Sequence, residues 1–157
     1  YQALTQDGSD DLFKNKIVFR DYFIISRKLM ISVLVVDDSS TIRKMLSNLF
    51  LDLKLNVIAT ASSGEEGIQL YEQHKPDLVT MDVNMPGISG IDALKKIRYV
   101  DKDANILMLT SRGDEGVVAQ SIKYGAKGYI LKPLNQDKII KAVSNISQMH
   151  LKVMKRK

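Results

Sequence analysis

The amino-acid sequence predicts an α/β fold, a single doubly wound (βα)5 domain whose five-stranded parallel sheet carries helices on both faces. Three observations lead there. Short aliphatic runs recur five times from residue 31 onward, and each is followed by a segment whose apolar residues repeat with helical spacing. The chain has 157 residues, enough for one ordinary domain and not comfortably for two. Strict alternation of strand and helix means parallel strands, and right-handed crossovers leave few ways to arrange them.

The strands read SVLVV at 32–36, NVIAT at 56–60, DLVTM at 77–81, NILML at 105–109 and GYIL at 128–131. They are apolar throughout rather than alternating, the pattern of strands covered on both faces. In the first helix Ile42, Met45, Leu46, Leu49, Phe50 and Leu53 share one face. Ser63, with Glu66 three residues on, is a capping box opening the second, whose apolar residues are Ile68, Leu70 and Tyr71. Ile91, Leu94 and Ile97 mark the third helix. Val118 and Ile122 mark the fourth, ended near Gly125, and Ile139, Val143 and Ile146 mark the fifth.

Composition narrows the function classes. With 45% hydrophobic and 26% charged residues the chain reads as soluble and globular rather than disordered. The absence of cysteine excludes disulfides and thiolate metal sites and gives no sign of an oxidising compartment. No apolar run approaches the roughly 18–20 residues of a membrane span. The net charge is +5, but Lys152, Lys155, Arg156 and Lys157 supply four of those charges. They read as a basic C-terminal tail over 151–157 and not as a surface for nucleic acid. Residues 1–29 have a polar start and then Ile17–Ile25 with charges scattered through it, without the apolar core and cleavage site of a secretory signal. They are expected to be an extension, or else an element docked on the domain of residues 30–150 that Met30 opens.

In doubly wound sheets ligands bind beyond the carboxyl ends of the strands. The first strand ends in Asp37 and Asp38, the third in Asp82, the fourth in Thr110, and the fifth in Lys132 followed by Pro133. A lone Asp after a strand is usually a turn or cap residue, and a lone Lys is usually just solvated. Three carboxylates, a hydroxyl and an ammonium at one sheet edge read as a site. Converging carboxylates raise one another's pKa unless a cation holds them apart. Oxygen ligands without His or Cys suit Mg²⁺, which takes only one or two carboxylates directly and keeps several waters. A carboxylate beside such an ion can attack a phosphoryl group, and a Lys and a Thr can bind the oxygens of the product.

The segments VLVVDDSSTIRKML, VTMDVNMPGISGIDALKKIR, LMLTSRG and GAKGYILKP resemble the four signature blocks of the receiver domain of bacterial response regulators. The resemblance covers about residues 31–147, with the blocks in order and at the right spacing, and is closest to the single-domain chemotaxis members. It implies the flavodoxin-like strand order 2-1-3-4-5. It also implies that Asp82 is the phosphoacceptor, that Asp38 binds Mg²⁺ directly and Asp37 through water, and that the main-chain carbonyl of Asn84 is a further ligand. Thr110 would hydrogen-bond a phosphoryl oxygen, and Lys132 would pair with the phosphate. Tyr129 would be the aromatic that swings inward on activation, and the Lys132–Pro133 bond would be cis. Arg112 and Asn84 stand where phosphoryl lifetime is tuned, and Leu134 stands where Phe is frequent.

The function expected from this is a phosphorylation-controlled signalling module in the cytoplasm, with a histidine kinase as phosphodonor. Its target would be a protein such as a flagellar motor switch, a phosphatase would be a further partner, and no nucleic acid or membrane would be involved. A phosphorelay intermediate is the alternative within this class. A true enzyme resembling the haloacid dehalogenase phosphatases would carry a second Asp two residues after the nucleophile, where this chain has Asn84, and would need a cap insertion. The chain is therefore expected to assist only its own phosphorylation and dephosphorylation. A transcription factor is not expected, since few residues follow the fifth helix.

Overall fold

The computed structural model describes residues 31–111 and 115–156, the last eight by backbone alone. Residues 1–30, among them the expected extension and Met30, and residues 112–114 and 157 lie outside the described residues. Strands β1 (Ser32–Val36), β2 (Asn56–Ala61), β3 (Leu78–Asp82), β4 (Ile106–Thr110) and β5 (Gly128–Leu131) alternate with α1 (Ser40–Asp52), α2 (Gly64–His74), α3 (Gly90–Val100), α4 (Glu115–Lys123) and α5 (Gln136–Arg156). All strand pairs are parallel, and the sheet runs β2-β1-β3-β4-β5, the expected order. The order reverses at β1, between β2 and β3.

Because strand side chains alternate between faces, the sheet feeds two separate cores. On one face Val33, Val35, Leu107 and Leu109 pack against Leu46, Leu49 and Phe50 of α1 and Ile139 and Val143 of α5. On the other, Leu34, Val36, Met81 and Met108 meet Tyr71 of α2 and Ile91, Leu94 and Ile97 of α3. Ser39, Ser63 and Ser89 cap α1, α2 and α3 by accepting from backbone N–H groups three residues on. The capping box of α2 is one residue wider than expected, since Glu66 reaches back to the N–H and hydroxyl of Ser62.

Three expectations need correction. Only β3 and β4 are buried along their whole length, and β1 nearly so; at the sheet edges β2 buries Ala61 alone and β5 buries Ile130 alone. An edge strand has one strand neighbour, and its outer side is covered only as far as a helix reaches. In α4 the expected core residue Ile122 is exposed and Val118 is half-buried, while Ser121 is the one buried residue. The helix sits on Val117 and Ser121, and the Ser121 hydroxyl donates to the Val117 carbonyl at 2.8 Å, which lets a polar residue enter the core. The basic stretch from 151 is not separate from α5, which continues unbroken to Arg156. No Gly or Pro after Asp137 stops it. No helix among the described residues is long and apolar enough to cross a membrane.

Candidate functional site

The carboxyl ends of β1, β3 and β4 lie side by side at the switch point, and the strand-end residues gather there. Asp37 follows β1 and is fully buried; its N–H donates to Ala61 at 3.1 Å, and its Oδ1 accepts from the Ser39 N–H at 2.9 Å. Asp38, next in the chain, is exposed. Asp82 is the last residue of β3 and is buried, as is Thr110 at the end of β4. Asp37, Asp38 and Asp82 each offer a carboxylate oxygen, and these atoms lie within 4.8 Å of one another.

Lys132 crosses to this cluster from the segment after β5. Its Nζ donates to Asp37 Oδ2 at 2.9 Å and pairs with Asp82 Oδ1 at 3.2 Å. Its backbone N–H bonds to the Thr110 carbonyl at 2.8 Å, which ties the lysine to the end of β4. The Lys132–Pro133 peptide is cis. Tyr129 lies within β5 with its side chain largely exposed.

The electrostatics follow from three clustered acids and one ammonium, which pairs with Asp37 and Asp82. Burial, and then the charge of Asp37, push the Asp82 carboxyl up to about 6, and the attraction of Lys132 only partly offsets them. Burial works against the charge of Lys132, but Asp37 and Asp82 together outweigh it and hold its pKa above the ordinary value. One ammonium thus leaves an unbalanced negative field. The donor set fits a hard divalent cation such as Mg²⁺: carboxylate oxygens only, two of them on buried residues, with no His or Cys among them.

Supporting contacts that sequence reading did not find hold this edge together. The Arg43 guanidinium donates to the main-chain carbonyls of Asp37 at 2.7 Å and Asp38 at 3.2 Å, so α1 fixes the backbone of the acid pair. The Asn84 side-chain amide donates to the Ser111 hydroxyl at 3.3 Å, joining the β3–α3 loop to the end of β4. Gly90 opens α3 directly against β3. A Cβ there would lie 1.9 Å from the Asp82 carbonyl oxygen, so any side chain would push the strand end away. A glycine eight residues after a strand-end acid was a visible signal for this, whereas a basic residue one turn into a helix is too common to single out Arg43.

The chain matches the family model described as the response regulator receiver domain over residues 33–144. It belongs to that family. The receiver is similar to the chemotaxis protein CheY of Bacillus subtilis (strain 168), 38% identical over 112 residues that cover 71% of this chain and 93% of that protein. CheY of Thermotoga maritima is 37% identical over 74% of this chain and 97% of its own length. Among solved structures, a crystal structure of the CheX–CheY–BeF3–Mg²⁺ complex from Borrelia burgdorferi is similar with a TM-score of 0.72 and 37% identity, covering 74% of this chain and 88% of that one.

Proposed function

We propose that this receiver takes a phosphoryl group from the phosphohistidine of a histidine kinase onto Asp82 and thereby changes its affinity for a target protein, in chemotaxis control of a flagellar motor. The observation that supports this best is the Lys132 ammonium set between two buried carboxylates, Asp37 and Asp82, at the reversal point of the sheet.

In the transfer an Asp82 oxygen attacks phosphorus, the P–N bond to the donor imidazole breaks, and the imidazole leaves with a proton. Mg²⁺, held by Asp37, Asp38 and Asp82 with the main-chain carbonyl of Asn84, would supply neutralisation of the charge on the phosphoryl oxygens. Lys132 keeps Asp37 in place through its 2.9 Å bond and has a second bond, to Asp82, that it can exchange for a phosphoryl oxygen. The Thr110 hydroxyl is the donor for another such oxygen. The phosphoryl group carries about −1.5 to −2 charges at neutral pH, in place of the single charge of the Asp82 carboxylate. Movement of Thr110 toward the new oxygens would leave room for Tyr129 to turn inward, which alters the surface presented by α4, β5 and α5. A target that touches that surface then prefers one state.

The receiver is a signalling module and not an enzyme acting on outside substrates. A phosphatase is the further partner in this reading, and a relative 37% identical crystallises in a CheX–CheY–BeF3–Mg²⁺ complex. A cytoplasmic location goes with it. The test is transfer of radiolabelled phosphoryl from a phosphohistidine donor or acetyl phosphate. Wild type should label and Asp82→Asn should not, whereas stable labelling of that variant at another residue would refute the assignment. Thr110→Ala should still label but bind its target more weakly.

A further inference from the structure

The loop from Val83 to Ser89 connects β3 to α3 and carries the Asn84 carbonyl. Its base is closed by the Gly90 N–H, which donates to the Val83 carbonyl at 2.9 Å. Its far end rests on another helix. The Ile88 N–H donates to Glu65 Oε1 at 3.1 Å, and Glu65 belongs to the first turn of α2. Gly87, with a φ of +84°, presses against the same carboxylate, and a Cβ on it would lie 2.8 Å from Glu65 Oε1. The Ile88 side chain in turn fills the space left by Gly64, where a Cβ would meet its Cγ1 at 2.8 Å. Three neighbouring contacts therefore seat the loop on the start of α2.

That helix is itself registered on the other half of the site. Gly67 lies against Val36, the residue before Asp37, so closely that a Cβ would come within 2.9 Å of its Cγ2. One turn of α2 thus relates the acid pair after β1 to the loop after β3. Two backbone N–H groups, its own and that of Ile88, hold the Glu65 carboxyl below its ordinary value, so the acceptor is ionised at neutral pH.

We infer that Glu65 is a positioning residue for the metal site: its carboxylate holds the β3–α3 loop so that Asn84 and Asp82 face the same cation as Asp37 and Asp38. This rests on the reading of that cluster as a Mg²⁺ site. A Glu in the first turn of a helix also favours the helix dipole, as the neighbouring Glu66 does, but that role needs charge and no contact with Ile88. Glutamine at the same position separates the two, because it keeps an acceptor oxygen and loses the charge.

The experiment is a calorimetric Mg²⁺ titration of the full chain as wild type, Glu65→Ala and Glu65→Gln, together with hydrogen exchange of the Ile88 amide without metal. The Ala variant should raise the Mg²⁺ dissociation constant about 3–10-fold, at or below the low end of what outer supporting residues contribute at metal sites. Its Ile88 amide should exchange faster, and the Gln variant should restore both within about 2-fold. Unchanged Mg²⁺ affinity in Glu65→Ala, or equal losses in the two variants, overturns the inference and leaves the metal reading intact. If wild type itself takes up no Mg²⁺, the metal reading falls and the inference with it.

Discussion

Strands β4 and β5 lie side by side, paired from Leu107–Gly128 to Thr110–Leu131, yet they stand in opposite surroundings. Every residue of β4 is buried, whereas in β5 Tyr129 and Leu131 are 45% and 43% exposed on the side where α4 would cover them. The cause is coverage. Central strands have neighbours on both sides and a helix layer on both faces, and α4 buries only Ser121. In the proposed function this becomes a division of labour: phosphorylation would occur where the strands cannot shift, and the surface offered to a target would lie where packing leaves room. Dense cores respond to the loss of a methylene, while loosely covered edges can rearrange at small cost.

Four measurements can break or sharpen this contrast. The largest effect is expected in β4, where Leu107→Ala should lower stability by about 2–5 kcal/mol in urea unfolding, since it opens a cavity under α5 and α1. A loss below about 1 kcal/mol would show that β4 is no more rigid than β5. Next comes the ammonium that spans the two regions. Lys132→Met should cost about 2–3 kcal/mol near neutral pH in metal-free buffer, because it leaves Asp37 and Asp82 facing each other without a counter-charge. The loss should shrink at pH 5, where Asp82 takes up a proton; an equal loss at both pH values would mean that the carboxylates do not depend on Lys132.

A smaller effect of opposite sign is expected for Asp82→Asn. The carboxyl titrates at about 6 in the folded protein against an ordinary 3.8, so the native state binds this proton more tightly than the unfolded chain. Wild-type stability from this group therefore falls as pH rises between about 4 and 6 and is level above that. The variant escapes this loss and should be about 1–2 kcal/mol more stable than wild type at pH 7.5 without metal, with the gain vanishing below pH 4. Absence of any gain at pH 7.5 would show that Asp82 carries no such strain. The smallest effect belongs to the open side: Ile122→Ser and Leu131→Ser should each change stability by less than about 0.5 kcal/mol. Both are nonetheless expected to weaken target binding in a pull-down with phosphorylated protein, and intact binding would move the target surface elsewhere.

Much of this was legible before the structure. Two periods in one sequence, aliphatic runs and helical spacing, locate the five strands and five helices of the described residues, with shifts of one residue at β3 and β4 and one more residue at the end of β2. The strand-end rule then selects Asp37, Asp38, Asp82, Thr110 and Lys132, which the structure brings to one edge. The failures share a cause. Val118 and Ile122 have the spacing of a buried face, but spacing shows only which residues share a face, and α4 leaves Ile122 exposed and Val118 half-buried. In the same way GYIL reads like NILML although one is an edge strand and the other central.

The sequence by itself determined which segments become strands, in what alternation, and which acids stand at their carboxyl ends, because side-chain periodicity and strand termination are local properties of the chain. The tertiary structure decided the rest. It buried Asp37 and Asp82 while leaving Asp38 exposed, and it brought Lys132 to Asp37 across 95 residues. It also set Arg43 behind the acid pair and Glu65 beneath the loop that follows Asp82. Those contacts join elements that are distant in sequence or fold back around a turn, so no local pattern carries them. Only the packing of helices on a sheet of this order brings the groups together, and only there does burial shift the affinity of Asp82 for a proton.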